Sequence, residues 1–220
     1  MGADALLTRP IALVVALALV SLLPFVFMSL TAFVKISTVL QIAKSALGAQ
    51  SVPSNTVIMA LAAALSLLAM APVGEAIATR ARPLLDAKLE TGALVDQGLE
   101  AVREPLREFL AANASDREKA RFLAVAREAR AEESRASITD RDLTVLAPAF
   151  VVTELTEAFA IGFLIFLPFL VLDLVVANVL LALGMQMLNP TQVSLPFKLL
   201  LFVAIDGWGL LAQALVSGYR

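Results

Sequence analysis

Five charged residues stand alone in the final third of this chain: Glu154, Glu157, Asp173, Lys198 and Asp206 are the only ones between 143 and 219. An ionised side chain inside apolar sequence costs roughly 2.5–3.5 kcal/mol on insertion scales, so such groups normally face a bundle interior, a water-filled path or another subunit. Three chemistries are open to them. Asp173, Glu157 and Asp206 could relay protons in a proton-coupled secondary transporter. Asp173 and Asp206 could face one another as an intramembrane aspartyl protease pair, although neither sits in a GxGD-type motif. All five could instead be polar anchors between subunits.

Spacing and pairing narrow these options. Glu154 and Glu157 are one helical turn apart and can share a face. Glu157 reads equally as an acid favoured by a helix N-terminus or as an anchor. Glu154 is expected to pair with Lys198, the only base between 142 and 219, because an unpaired buried charge is expensive. Across subunits, such a pair would fix register more than add stability. Asp173 with Asn178, and Asp206 with Trp208, read as hydrogen-bonded anchors in preference to a relay, which would bring more polar partners.

The chain has no Cys and no His. That removes thiol nucleophiles, disulfides, Ser-His dyads, thiolate or imidazole zinc sites and histidine haem ligation. No cofactor or metal is expected. A net charge of -2 offers no basic surface for nucleic acid.

The elements that must hold these residues are of membrane type. Of 220 residues, 60% are hydrophobic and 16% charged, and mean hydropathy is +0.86, well outside the balance of soluble domains. Pro10 to Val34 is an uncharged run of 25 residues, more than the roughly 20 that cross a bilayer as a helix, and Pro24-Phe25 predicts a kink in it. The N-terminus lacks a basic n-region and an early small-residue cleavage site, so uncleaved insertion is expected. Residues 35–53 read as a short connector carrying Lys35 and Lys44. Ser54 and Asn55 then cap a second span from about 55 to 74.

From 80 to 142 the character changes: this stretch holds 25 of the chain's 36 charged residues. It reads as the one aqueous part, and it is helical, with Ser115 and Glu118 spaced as a capping box. Beyond it the uncharged windows 158–172, 174–197 and 207–219 are too short or too interrupted for plain spans. Gly162, Gly184, Gly207 and Gly209 allow close helix approach; Phe163, Phe166, Phe169, Phe197 and Phe202 read as core or lipid-facing. The expected fold is all-α: polytopic membrane-type helical hairpins with about four hydrophobic segments, the later ones kinked or broken, and a small helical domain between the second and third. The parts are 1–79, 80–142 and 143–220. The two lysines of the connector place it in the cytoplasm and 80–142 outside.

Met185 and Met187 occupy a short turn between Gly184 and Asn189-Pro190. Flexible thioethers there could fill a packing gap or close around a pore and yield to a passing chain.

The order of IGFLIFLPFLVLDLV, GMQML, LPFKLLLF and DGW, with LPFVFMSLTAFVKISTVLQIAKSALGAQSVPSNTV upstream and, more loosely, EPLREFLAANASDREKARFL, resembles the R component of the type III secretion export gate (the SctR/YscR family), a relative of flagellar FliP. The resemblance covers nearly the whole chain. It implies a non-enzymatic pore subunit of a bacterial inner membrane that forms a pentamer with S and T components, with U alongside, through which unfolded substrates pass. It places a methionine seal at Met185, Gln186 and Met187 and puts 80–142 in a periplasmic ring. The gate it implies sits largely above the membrane plane, which would account for the awkward windows. The Met-Gln-Met run and the absence of a recognisable cleaved leader favour an injectisome over a flagellar gate.

Overall fold

The structure is a computed structural model and describes residues 17, 21–22, 24–48, 53–86 and 91–219. All regular structure among them is helical, in chain order α1 Pro24–Leu30, α2 Phe33–Leu47, α3 Asn55–Ala69, α4 Ala71–Asp86, α5 Thr91–Asn113, α6 Asp116–Glu128, α7 Glu132–Arg135, α8 Leu143–Ala182, α9 Pro190–Ala204 and α10 Gly207–Ser217.

α2 is the element around which the others gather. Ile36, Val39, Leu40, Ala43 and Leu47 recur at helical spacing and are buried against α3, α8, α9 and α10. Its end is set by Gly48, whose φ of 73° lets the N–H turn back to the Ser45 carbonyl at 3.0 Å. The connector expected over 35–53 is therefore mostly a buried helix. Its polar letters misled: Lys35 and Lys44 are partners for distant side chains, Lys44 Nζ lying 2.7 Å from Asn55 Oδ1. The positive-inside rule counts loop charges, so these two lysines carry no orientation.

Each of the first two hydrophobic stretches is broken. α1 and α2 meet at 75°. At the break, the Thr31 hydroxyl donates to the Phe27 carbonyl at 2.5 Å and accepts from the Phe33 N–H at 3.3 Å, displacing the helical ladder. Pro24-Phe25, where the kink was expected, lies at the margin of the described residues; the described break is at Thr31-Ala32. α3 starts as expected, with Ser54 Oγ accepting from the Val57 N–H at 3.3 Å, but it turns by 54° into α4 at Met70.

The charged helices α5 and α6 pack on the first turns of α8, where Phe109, Leu110 and Ala114 share an apolar cluster with Leu146, Ala149 and Phe150. Ser115 caps α6 by accepting from the Glu118 N–H at 3.3 Å. The reciprocal half of the expected capping box is missing: Glu118 turns to Arg121 at 2.9 Å, and the Ser115 N–H goes to Thr153 Oγ1 on α8 at 3.1 Å. A hydrogen bond from Lys119 and its charge hold the Asp116 carboxyl below its usual range.

α8 runs for 40 residues, about 60 Å at ~1.5 Å per residue, twice the roughly 30 Å of a hydrocarbon core. It is the one described helix that is long and apolar enough alone to cross a membrane, and 11% of its most apolar window is buried within the chain. Three bent pairs pass the same test together, α1 with α2, α3 with α4 and α9 with α10. Because α8 starts at Leu143, Glu154 and Glu157 lie in its interior, and the reading of Glu157 as a helix N-terminal acid does not apply.

Candidate functional site

Two ion clusters and one exposed loop gather most of the residues singled out from the sequence. The first cluster is built on α2 and α8. Glu154 is fully buried, and Lys35 Nζ lies 2.9 Å from its Oε1 and 2.7 Å from Glu157 Oε2. The contact to Oε1 is ionic without being a well-aligned hydrogen bond. The other oxygen of Glu154 accepts from the Tyr219 hydroxyl, which also lies 3.1 Å from the Ala32 carbonyl. Lys35 Nζ sits 4.4 Å above the Tyr219 ring, and that ring stacks on Phe109 of α5 at 5.9 Å. The cluster thus ties α2, α5, α8 and the segment after α10 together.

The second cluster joins α8 to α9. Lys198 Nζ, buried, lies 2.7 Å from Asp173 Oδ2 and 3.3 Å from the Ala46 carbonyl in the last turn of α2. Ser194 Oγ donates to Asp173 Oδ1 at 2.5 Å. Glu154 and Lys198 are therefore not partners within the chain. One meets the first turn of α2 through Lys35 and the other its last turn at Ala46, about 16 Å apart along the axis at ~1.5 Å per residue. The sequence reading sought a base only downstream of 142 and so missed Lys35. Tyr219 was missed as well; its being the chain's single Tyr was the one available signal.

The loop between α8 and α9 carries Met185, Gln186 and Met187. α8 ends in a complete Schellman motif: Gly184, at φ 73°, donates to Leu181 at 3.0 Å, and the Met185 N–H to Leu180 at 2.9 Å. α9 opens on Asn189, whose side chain accepts from the Thr191 N–H at 3.0 Å, followed by Pro190 in its first turn. Both flanks are thus stiffened while the apex stays out: Met185 is 45% and Met187 99% exposed.

A corner separates α9 from α10. Asp206 is the one described non-glycine residue with positive φ (52°). A Cβ at Gly207 would stand 2.4 Å from the Phe202 ring, and one at Gly209 2.4 Å from the Asp206 carboxylate. Trp208 packs edge-on against Phe202 at 5.1 Å. DGWG is thus the sequence of a 57° bend. Asn178 and Asp206 are exposed, so the structure brings neither to a cluster, and no Asp173–Asn178 contact is present among the described residues. No group of three or more His, Cys, Asp or Glu that could hold a metal occurs among them either.

Fold and site together define a helical membrane-type protein whose polar residues hold helices to one another. The chain belongs to the FliP family, whose model matches residues 16–215. It is 46% identical to the Hypersensitivity response secretion protein HrcR of Ralstonia nicotianae over 94% of this chain and 96% of that one. It is 42% identical to the Yop proteins translocation protein R of Yersinia pestis over 94% and 95%, and 38% identical to the Flagellar biosynthetic protein FliP of Bacillus subtilis over 94% and 90%.

Proposed function

We propose that this chain is a structural, pore-forming subunit of a type III secretion export gate in a bacterial inner membrane. Five copies assemble with S and T components, with U alongside, and unfolded polypeptides pass through the central channel. Residues 80–142 stand on the periplasmic side, a placement that rests on the resemblance now that Lys35 and Lys44 give no orientation. The relatives' names, which speak of secretion, translocation and flagellar biosynthesis, support the reading.

The observation that carries it is the α8–α9 loop. A methionine 99% exposed, on a turn fixed at both flanks, packs against none of the described residues, whereas the gap-filling alternative needs a packed side chain. Several such loops around an axis would bring soft thioethers together as a seal that opens to a chain and closes behind it. Exposed apolar side chains along α8 and α9, such as Phe163, Leu164, Leu174, Leu200 and Val203, suit burial against other subunits or lipid. Asn178 and Asp206, exposed and outside both clusters, then serve as polar anchors at those contacts. A proton relay finds less support, because Glu157 and Asp173 are each held by a lysine.

The test is the double variant Met185→Ala, Met187→Ala in the assembled gate. The expected outcome is continued assembly with ion leak across the inner membrane in the absence of substrate. An assembled double variant that stays as tight as the parent would remove the seal from this account.

A further inference from the structure

The apex of the α8–α9 loop carries chemistry that a seal alone does not use. The chain has no Cys, so thioethers are the only sulfur it offers to a two-electron oxidant, and no thiol of its own intercepts one first. The described methionines differ in setting. Met28, 44% exposed, lies in α1 and Met59, 36% exposed, in α3; both helices belong to bent pairs apolar enough to cross a membrane. Met59 Sδ also accepts from Gln41 Nε2 at 3.8 Å. Met70 is half-buried at the bend between α3 and α4.

Met185 and Met187, 45% and 99% exposed, stand instead on irregular backbone between α8 and α9. Such backbone persists at membrane depth only where protein buries it or water lines it. A side chain as open as Met187 is not buried by the described residues, so in the gate the apex meets the water of the channel. The turn itself depends on neither thioether. It is held by the Gly184 and Met185 N–H bonds to α8, by the Leu188 N–H to the Met185 carbonyl at 3.3 Å, and by the Asn189 side chain. An oxygen added to either sulfur changes what the apex presents and leaves the turn in place.

We propose that Met185 and Met187 form a reversible oxidation site, at which a peroxide converts the thioethers to sulfoxides and unseals the channel. This rests on the seal reading and names a regulation of that site. A sulfur lone pair attacks one oxygen of hydrogen peroxide, and the S–O bond forms as the O–O bond breaks. The departing hydroxide takes the proton of the transferred oxygen and leaves as water; sulfur loses two electrons and the peroxide gains two. A sulfoxide is polar and keeps its hydration, so several of them hold water where thioethers exclude it. Methionine sulfoxide reductases reverse the step, two thiols giving a disulfide, water and the thioether.

The experiment uses the native hetero-oligomer reconstituted in liposomes, with ion leak read before and after hydrogen peroxide and each sulfoxide mapped by mass spectrometry. Met187 is expected to oxidise ahead of Met28, Met59 and Met70. The leak is expected to rise at least about tenfold, which about 1.4 kcal/mol off the barrier to ion passage supplies. Reductases for both sulfoxide epimers, with a thiol reductant, return it to its starting value. Met185→Leu, Met187→Leu has no sulfur at the apex, and peroxide does not raise its leak, whatever that leak is at the start. Oxidation of Met28 or Met59 before Met187 overturns the proposal. So does a leak that rises equally in the Leu variant, or one that stays low with both sulfoxides formed. Met185→Ala, Met187→Ala, read without peroxide, separates the failures. If it leaks while the oxidised parent stays tight, only the oxidation site falls; if both stay tight, the seal falls with it.

Discussion

Lys35, on the first turn of α2, reaches two carboxylates of α8. Among the described residues it is the one cation facing two carboxylates, and one of those is fully buried. Removing one member of a buried pair leaves an uncompensated charge and costs about 3–5 kcal/mol. Lys35→Met is expected to collapse stability in mild detergent, read as the midpoint of thermal unfolding. Glu157→Gln, at the exposed end of the cluster, is expected to cost under about 1 kcal/mol. Lys35→Met, Glu154→Gln should recover most of the loss, because it removes the second charge together with the first. Tyr219→Phe keeps the ring on Phe109 and beneath Lys35 but takes the hydroxyl donor from Glu154; about 1–3 kcal/mol is expected from the carboxylate oxygen left unsatisfied. If that substitution leaves the midpoint unmoved, the hydroxyl does not hold the cluster.

At the scale of elements, the close approach of α8 to α2 is enforced by a glycine. A Cβ on Gly162 would stand 2.5 Å from Ile42 Cδ1, so Gly162→Ala is expected to push α8 off α2 at a cost of about 1–3 kcal/mol. Ile42→Ala in the same chain should relieve part of it, since two of the three crowding atoms leave. Gly184→Ala forces a left-handed alanine at the end of α8, about 1–2 kcal/mol, and is expected to loosen the methionine loop, read as faster protease cutting between 183 and 190. Much of this level was legible in advance. Ser54 and Ser115 announced their helix starts, Gly184 and Asn189-Pro190 the turn between α8 and α9, and the Ser115–Glu118 spacing the helical character of 80–142. What was not legible depended on partners far off in sequence. α2 looked like a connector because Lys35 and Lys44 looked solvated, and only the acids of α8 and Asn55 explain their burial. The expected Glu154–Lys198 pair failed within the chain for the same reason: inventory named the downstream base, while topology supplied Lys35 from the other side of the charged helices. No local signal predicted that α8 would begin at Leu143 and carry Glu154 and Glu157 through its interior.

The whole molecule leaves much apolar surface uncovered for a chain of its size. A single helix of about 60 Å that buries so little of its apolar length, and bent pairs in place of straight spans, fit an element of an assembly better than a free-standing bundle. The charged helices are fastened to that assembly element through Phe109, Leu110 and Phe150 and through Tyr219, so a load on one part is passed to the other by packed side chains. On the proposed function this subunit works only as one of several copies together with different partners. The most direct test is the native mass of the particle extracted in mild detergent after co-expression with the neighbouring small membrane proteins. A stable hetero-oligomer that contains several copies of this 23.3 kDa chain and survives purification as one species is expected. A monomer or dimer that ignores those neighbours would contradict it.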